Sequence, residues 1–186
     1  MKLIFKYFFY LLISLIVFPI ILIVSTLIFI FSGLPIIHWS ERVGRNKEIF
    51  YMAKFRTMKN ETPQVATHKF TDPDKHITSI GYYLRKSSLD ELPQIINLLK
   101  LEMTLVGPRP ALFNQYDLIE KRDTRNINKL TPGITGLAQV SGRDDMTIDE
   151  KVELDYEYLK NKTFLFDLII IVKTIKNIIF LKNISH

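Results

Sequence analysis

No cysteine occurs among the 186 residues, which excludes a disulfide scaffold, a thiolate nucleophile, an iron–sulfur cluster and a cysteine-ligated structural zinc. Histidine is scarce as well: His38, His68, His76 and His186 form neither an HExxH nor an HxxxH pair, so a histidine-based metal site lacks its usual ligands. Neither GxxxxGK[ST] nor GxGxxG is found, which removes support for a P-loop or dinucleotide-binding fold. Internal repeats and low-complexity tracts are also missing. A net acidic charge is lacking too: 25 Lys and Arg stand against 19 Asp and Glu, a balance of +6 that favours anionic partners such as lipid headgroups, phosphates or nucleic acid. What is plentiful is apolar surface. At 47% hydrophobic residues the chain is too apolar to be disordered, and its length fits one domain, or one domain plus a membrane element.

The apolar excess is concentrated at the front. From Leu3 to Ile37 only Lys6 is charged, and Tyr7 to Phe31 is a run of 25 uncharged, predominantly apolar residues. A secretory signal has an apolar run of roughly 7–15 residues followed by a small-residue cleavage site, so this segment is expected to stay on the protein. About 20 residues suffice to cross the hydrocarbon core. Pro19, near the middle, removes a backbone hydrogen bond and opens a second possibility, two half-helices forming a hairpin that enters and leaves by the same face. Lys2 and Lys6 precede the run, and Arg42, Arg45, Lys47, Lys54, Arg56 and Lys59 follow it, so both ends prefer the cytoplasm. On the residues alone, spanning and re-entrant forms both stay open. A second membrane signal runs from Phe164 to Leu181, where Lys173, Lys176 and Asn177 fall at i, i+3, i+4 among Ile and Phe; it reads as an interfacial amphipathic helix, or as a core helix with a wet stripe.

Without residues 1–37 the remainder holds 23 basic and 19 acidic residues, a mild +4. Ile49 to Arg56 is aromatic and partly alternating, which predicts a strand with Lys54 and Arg56 on one face. Lys59 to Thr78 reads as a loop or lid. Helical patterns cover Asp90–Leu101, Leu112 to about Ile127, and Asp149–Lys160; Gly107-Pro-Arg-Pro110 and Thr131-Pro-Gly-Ile-Thr-Gly136 break the chain between them.

Ser88-Leu-Asp-Glu91 has two readings. As S-x-x-E it is a capping box, with Asp90 favouring the helix dipole. Pro93 conflicts with a helix capped at Ser88, because its missing N–H would fall inside, and a later start frees Ser88 or Asp90 for another task. Adjacent carboxylates facing cations are what magnesium-assisted phosphoryl transfer needs: one carboxylate to attack phosphorus, a second to hold metal or position the first, and cations to neutralise phosphate oxygens. Arg85 and Lys86, Arg109, Arg143, Lys54 and Arg56 all lie in neighbouring segments.

Gly33-Leu-Pro35, Glu41-Arg-Val-Gly44, Phe50, Lys54-Phe-Arg-Thr-Met58, Arg85-Lys-Ser-Ser-Leu-Asp-Glu-Leu-Pro-Gln94, Val106-Gly-Pro-Arg-Pro110, Pro132-Gly-Ile-Thr-Gly-Leu-Ala-Gln139 and Gly142-Arg143 occur in order along the whole chain. Together they resemble the bacterial sugar transferase family of small monotopic phosphoglycosyl transferases. The resemblance implies transfer of a sugar-1-phosphate from a UDP-sugar to undecaprenyl phosphate with release of UMP, the first membrane step of capsule, O-antigen or glycoprotein glycan assembly. It implies Asp90 as the nucleophile that carries the phosphosugar, Glu91 completing the dyad, both as ligands of Mg²⁺, and Lys54, Arg85 and Arg109 neutralising phosphate oxygens. Gln139 and Arg143 line the nucleotide-sugar side by the same likeness. It further implies a re-entrant helix broken at Pro19, with residues 1–37 in the inner membrane and 38–186 forming a catalytic domain on the cytoplasmic face. Many members have Ser-Pro at the break, where this chain has Phe18-Pro19. The Asp123–Asn128 region and the Gly-Arg-Asp-Asp-Met-Thr stretch look most like members that use an N-acetylated 6-deoxyhexosamine; the donor sugar that the resemblance implies is an N-acetylated hexosamine or 6-deoxyhexosamine. The fold expected is α+β, mainly helical with a small sheet, with C-terminal interfacial helices.

Two other classes compete. A lipid-binding interaction protein would use Ser88–Glu91 only as a cap and would tolerate Asp90→Asn. A membrane-tethered nucleic-acid binder needs a basic stripe with interleaved aromatics, whereas here acids and bases are well mixed, so no nucleic-acid partner is expected.

Overall fold

A computed structural model describes residues 2–60, 62, 73–142 and 146–180. The chain is mainly helical with two two-stranded sheets, and it divides into two compact units, residues 1–40 with 52–101, and residues 41–51 with 102–185.

The first unit begins with α1, Lys2–Ser32, one helical element that holds Pro19 inside it. At 1.5 Å per residue it is roughly 46 Å long, more than the ~30 Å hydrocarbon core requires. Its side chains are mostly exposed, Leu15 at 73% and Phe31 at 67%, unlike the core helix of a water-soluble domain. Pro19 has no N–H for the carbonyl of Leu15. On either side of it the hydroxyls of Ser14 and Thr26 bond back to the carbonyls of Leu11 (2.7 Å) and Leu22 (2.9 Å), a pattern associated with bent helices. One turn apart near its end, Val24 and Ile28 turn inward and form the core of this unit with Phe55 and Leu84. Hence α1 packs with residues 52–101.

The hairpin of β1 (Ile37–Val43) and β2 (Ile49–Phe55) closes with Gly44 N–H donating to Glu48 O (2.7 Å). Its base belongs to the first unit and its tip to the second. The predicted strand at 49–56 is thus found. Of the segment 59–78, residues 61 and 63–72 lie outside the described residues; Pro73–His76 is one turn of 3₁₀ helix. α2 (Ser79–Lys86) starts at Thr78, whose hydroxyl accepts from Gly81 N–H. The continuous helix expected over 90–101 is instead a 3₁₀ helix, Leu89–Gln94, followed by α3, Ile95–Leu99.

In the second unit β3 (Thr104–Val106) and β4 (Gly133–Thr135) pair in parallel, Thr104 opposite Gly133 and Val106 opposite Thr135. The helix expected from Leu112 begins later, as α4, Tyr116–Thr124. Residues 111–112 are drawn away from helix by the hairpin tip: Val43 N–H donates to Ala111 O, and Arg42 bridges Leu112 in antiparallel fashion. α5 (Leu137–Ser141) and α6 (Ile148–Asn161) follow. α4 and α6 close one core around Val43, Ala111, Leu118, Ile127 and Val152; Val106, Leu137, Tyr158 and Ile170 form another.

α7 (Phe164–Ile179) exposes Lys173 and Lys176 of the expected polar stripe, whereas Asn177 meets the protein instead. Its protein-facing residues recur every three or four positions: Asp167 accepts from the Tyr158 hydroxyl (2.7 Å), Ile170 is fully buried, Thr174 pairs with Thr135 (2.7 Å), and Asn177 donates to Val140 O (3.3 Å). Asn177 thus has a partner on the protein, whereas Lys173 and Lys176 are exposed. The opposite face exposes Leu165, Leu168, Ile169, Val172, Ile175 and Ile179. The helix therefore contributes Ile170 to a core on one side and exposes a broad apolar face on the other, with Lys173 and Lys176 also exposed.

Candidate functional site

In the first unit, β2 presents Lys54 to the 3₁₀ turn. Lys54 Nζ donates to Glu91 Oε1 at 2.7 Å and stands 3.6 Å from Asp90 Oδ2. All three side chains are largely withdrawn from solvent, 17% exposed for Lys54, 11% for Asp90 and 13% for Glu91. Local chain geometry explains how two carboxylates come to share one ammonium. Ser88 adopts the left-handed conformation (φ 58°, ψ 16°), which turns the chain sharply after α2. In a 3₁₀ helix residues three apart eclipse, so Leu89 and Leu92 point together into the core beside Ile28 and Phe55. Asp90 and Glu91, between them, are left to another side. The capping-box reading of Ser88 is not realised, since its side chain makes no cap hydrogen bond.

Three further residues hold this arrangement. Asn97, fully buried on α3, accepts the backbone N–H of Ala53 through Oδ1 (3.0 Å), occupying a β2 donor beside Lys54 as a further strand would. Arg85, in the last turn of α2, donates through Nε to Thr57 Oγ1 (3.0 Å). α2 comes close enough to Thr57 that a Cβ at Gly81 would lie 2.2 Å from the Thr57 carbonyl oxygen, which only glycine tolerates. Arg56, grouped with Lys54 in the sequence, does not share its partners: it reaches the end of α1.

The second unit joins the other two motifs backbone to backbone. Gly107 N–H donates to Thr135 O (2.8 Å) and Gly133 N–H to Pro108 O (2.9 Å). A Cβ at Gly133 would lie 2.1 Å from Gly107 N. The Gly-Pro-Arg-Pro turn that carries Arg109 is thus set against the Pro-Gly-Ile-Thr-Gly loop that leads into α5, on which Gln139 lies. The Arg109 carbonyl accepts from Arg122 Nη1 (2.8 Å), while Arg122 Nε and Nη2 both donate to Asp155 Oδ2 (2.9 and 2.6 Å). Burial pushes the Asp155 carboxyl pKa up, against the pull of Arg122. Both side-chain polar atoms of Gln139 are buried, with no hydrogen-bond partner among the described residues. Arg143 lies outside the described residues.

The structure therefore brings Lys54, Asp90 and Glu91 together and sets Arg85 on Thr57 in the same unit; Arg109 and Gln139 belong to the other unit. Asn97, Thr57, Arg122 and Asp155 escape the sequence reading. Asn97 alone leaves a signal, a polar residue inside the apolar run of residues 95–99.

A family model described as bacterial sugar transferase matches residues 1–181. The exopolysaccharide production protein ExoY of Sinorhizobium fredii is 36% identical over 173 residues, covering 84% of this chain and 76% of that one. The undecaprenyl-phosphate galactose phosphotransferase of Salmonella typhimurium is 39% identical over 160 residues, 78% of this chain and 33% of its own length. The UDP-N-acetylgalactosamine-undecaprenyl-phosphate N-acetylgalactosaminephosphotransferase of Aeromonas hydrophila is 34% identical over 168 residues, 87% of this chain and 39% of that protein. The chain thus spans between a third and two fifths of the length of these last two relatives.

Proposed function

We propose, from the premise that this chain belongs to the bacterial sugar transferase family, that it transfers a hexose- or N-acetylhexosamine-1-phosphate from a UDP-sugar to undecaprenyl phosphate. It is a transferase enzyme. The names of the Salmonella and Aeromonas relatives support both the lipid acceptor and the two sugar classes; a 6-deoxy sugar is the third candidate.

The observation that carries the reading is the dyad on its lysine. Asp90 attacks the sugar-bearing phosphorus, the bond from that phosphorus to the UMP oxygen breaks, and UMP leaves. An oxygen of undecaprenyl phosphate then attacks the same phosphorus, the bond to Asp90 breaks, and the carboxylate returns. Lys54 gives its hydrogen bond to Glu91 and acts on Asp90 as a charge at 3.6 Å, which relieves the repulsion a phosphate would meet from two carboxylates. Arg85, in the same unit as the dyad, serves the phosphate oxygens; the roles of Arg109 toward phosphate and of Gln139 and Arg143 toward the nucleotide sugar rest on the family resemblance alone.

The donor set suits Mg²⁺: two adjacent carboxylates without imidazole or thiolate, and no cluster of three His, Cys, Asp or Glu ligands among the described residues. Mg²⁺ needs only one or two protein carboxylates when substrate phosphates complete its shell, so Asp90 and Glu91 would hold it. When bound, the ion neutralises charge on the phosphoryl oxygens.

We place α1 in the inner membrane as a re-entrant helix with the catalytic residues on the cytoplasmic face. Lys2 and Lys6 before the apolar run, Arg42, Arg45 and Lys47 after it, and the carbonyl freed by Pro19 support this. Because the chain has no cysteine, Ile4→Cys and Glu48→Cys can be labelled singly. Both react only from the cytoplasmic side if α1 is re-entrant; labelling of Ile4→Cys from the far side would mean that it spans.

The reaction itself is tested in detergent with Mg²⁺, undecaprenyl phosphate and a panel of UDP-hexoses, UDP-N-acetylhexosamines and 6-deoxy forms. UMP release is expected with one donor class, lost in EDTA and at least 10³-fold slower in Asp90→Asn. Release that survives Asp90→Asn would remove the covalent route.

A further inference from the structure

Arg56 is 7% exposed, and among the described residues no carboxylate pairs with it. Nη2 donates to the carbonyls of Ser32 (2.5 Å) and Gly33 (2.8 Å), and Nη1 to Asn60 Oδ1 (2.5 Å). Its backbone N–H donates to Ile36 O (2.8 Å). Ser32 is the last residue of α1, and Gly33 ends the helix in the left-handed conformation (φ +69°), its N–H donating to Phe29 O. A helix end carries orphan carbonyls and about half a negative charge. Among the described residues the counter-charge of this buried guanidinium is therefore the carboxyl end of α1. Three consecutive residues have three separate attachments: Lys54 to Asp90 and Glu91, Phe55 to the core beside Val24 and Ile28, and Arg56 to the end of α1.

We infer that Arg56 is a positioning residue that clamps the end of α1 to the strand bearing Lys54 and so sets the dyad at the height where a lipid-borne phosphate arrives. The inference rests on the transfer reaction proposed above. The water-borne donor does not depend on where α1 ends, whereas the acceptor, held in the bilayer, does. The two half-reactions should consequently separate in variants of this residue.

The experiment compares wild type, Arg56→Gln, Arg56→Lys and Asn60→Ala in phosphatidylethanolamine–phosphatidylglycerol nanodiscs. It measures the single-turnover UMP burst without acceptor, then turnover against undecaprenyl phosphate concentration. Expected for Arg56→Gln is a burst within about twofold of wild type and an apparent KM for the acceptor at least tenfold higher. Arg56→Lys, which keeps the charge but not the fork, should fall between, and Asn60→Ala, at an exposed position, should shift the acceptor KM two- to fivefold. Equal losses in both half-reactions, or no change in the acceptor step of the folded Arg56→Lys and Asn60→Ala proteins, would overturn the inference. If wild type releases no UMP with any donor, the transfer reading fails instead, and Arg56 is judged without activity. Trp39, the single tryptophan, lies on β1 close in sequence to the end of α1, and its quenching by brominated lipid reports depth. A changed depth in Arg56→Gln keeps the clamp; an unchanged one removes it.

Discussion

Lys54 is the residue on which most of the site depends, because it separates two neighbouring carboxylates from a bare double negative charge. Removing one partner of a buried charge cluster typically costs about 3–5 kcal/mol. Lys54→Met should therefore lower stability by about 3 kcal/mol at neutral pH in urea unfolding and should slow UMP release at least 100-fold. Asn97→Ala removes a buried acceptor from Ala53 N–H, worth about 1–3 kcal/mol. The variant should keep its affinity for donor while the burst rate falls, since only the seat of Lys54 is disturbed. An equal change in donor KM and burst rate would count against that role.

Two tetrapeptides of the same pattern, Ser88-Leu-Asp-Glu91 and Thr147-Ile-Asp-Glu150, show at the level of elements where the sequence is readable and where it is not. The second forms the capping box: Thr147 Oγ1 accepts from Glu150 N–H and Glu150 Oε2 accepts from Thr147 N–H. The first does not, because α2 ends immediately before it and Pro93 suits a 3₁₀ turn. The pattern names a helix start only when the preceding chain is free to supply an extended cap residue. Thr147→Ala should cost about 1 kcal/mol. The Thr147 N–H and hydroxyl both donate to the Glu150 carboxylate and lower its pKa, so their contribution is fully present above the unfolded-state pKa and is lost as pH falls through the folded one; Thr147→Ala removes the hydroxyl's share. The effect of Thr147→Ala should accordingly shrink in acid, which unfolding at pH 7 and pH 3 would check. Strand β2, α6 and α7 were legible from periodicity and apolar runs. The start of α4 was not, because a tertiary bond from Val43 decides it, and no window around Leu112 contains that information.

On the scale of the whole molecule, each unit carries its own apolar surface, α1 in one and the outer face of α7 in the other. Substitutions on α7 should split by face. Val172→Glu and Ile175→Glu, outward, should leave unfolding unchanged and reduce flotation with anionic vesicles. Ile170→Ala, inward and fully buried, should cost about 2–5 kcal/mol while leaving the outer face intact. Lys173 and Lys176 can keep their ammonium groups at the headgroup level while their stems lie along the apolar face.

Burial of Asp90 also has a consequence in time. A phosphate–carboxylate anhydride is readily hydrolysed, and water has little access to a side chain that is 11% exposed. On the covalent route proposed above, sugar phosphate carried on Asp90 would therefore be kept from water until the lipid acceptor arrives, and the loaded enzyme would hold one supply in reserve while it waits for the other.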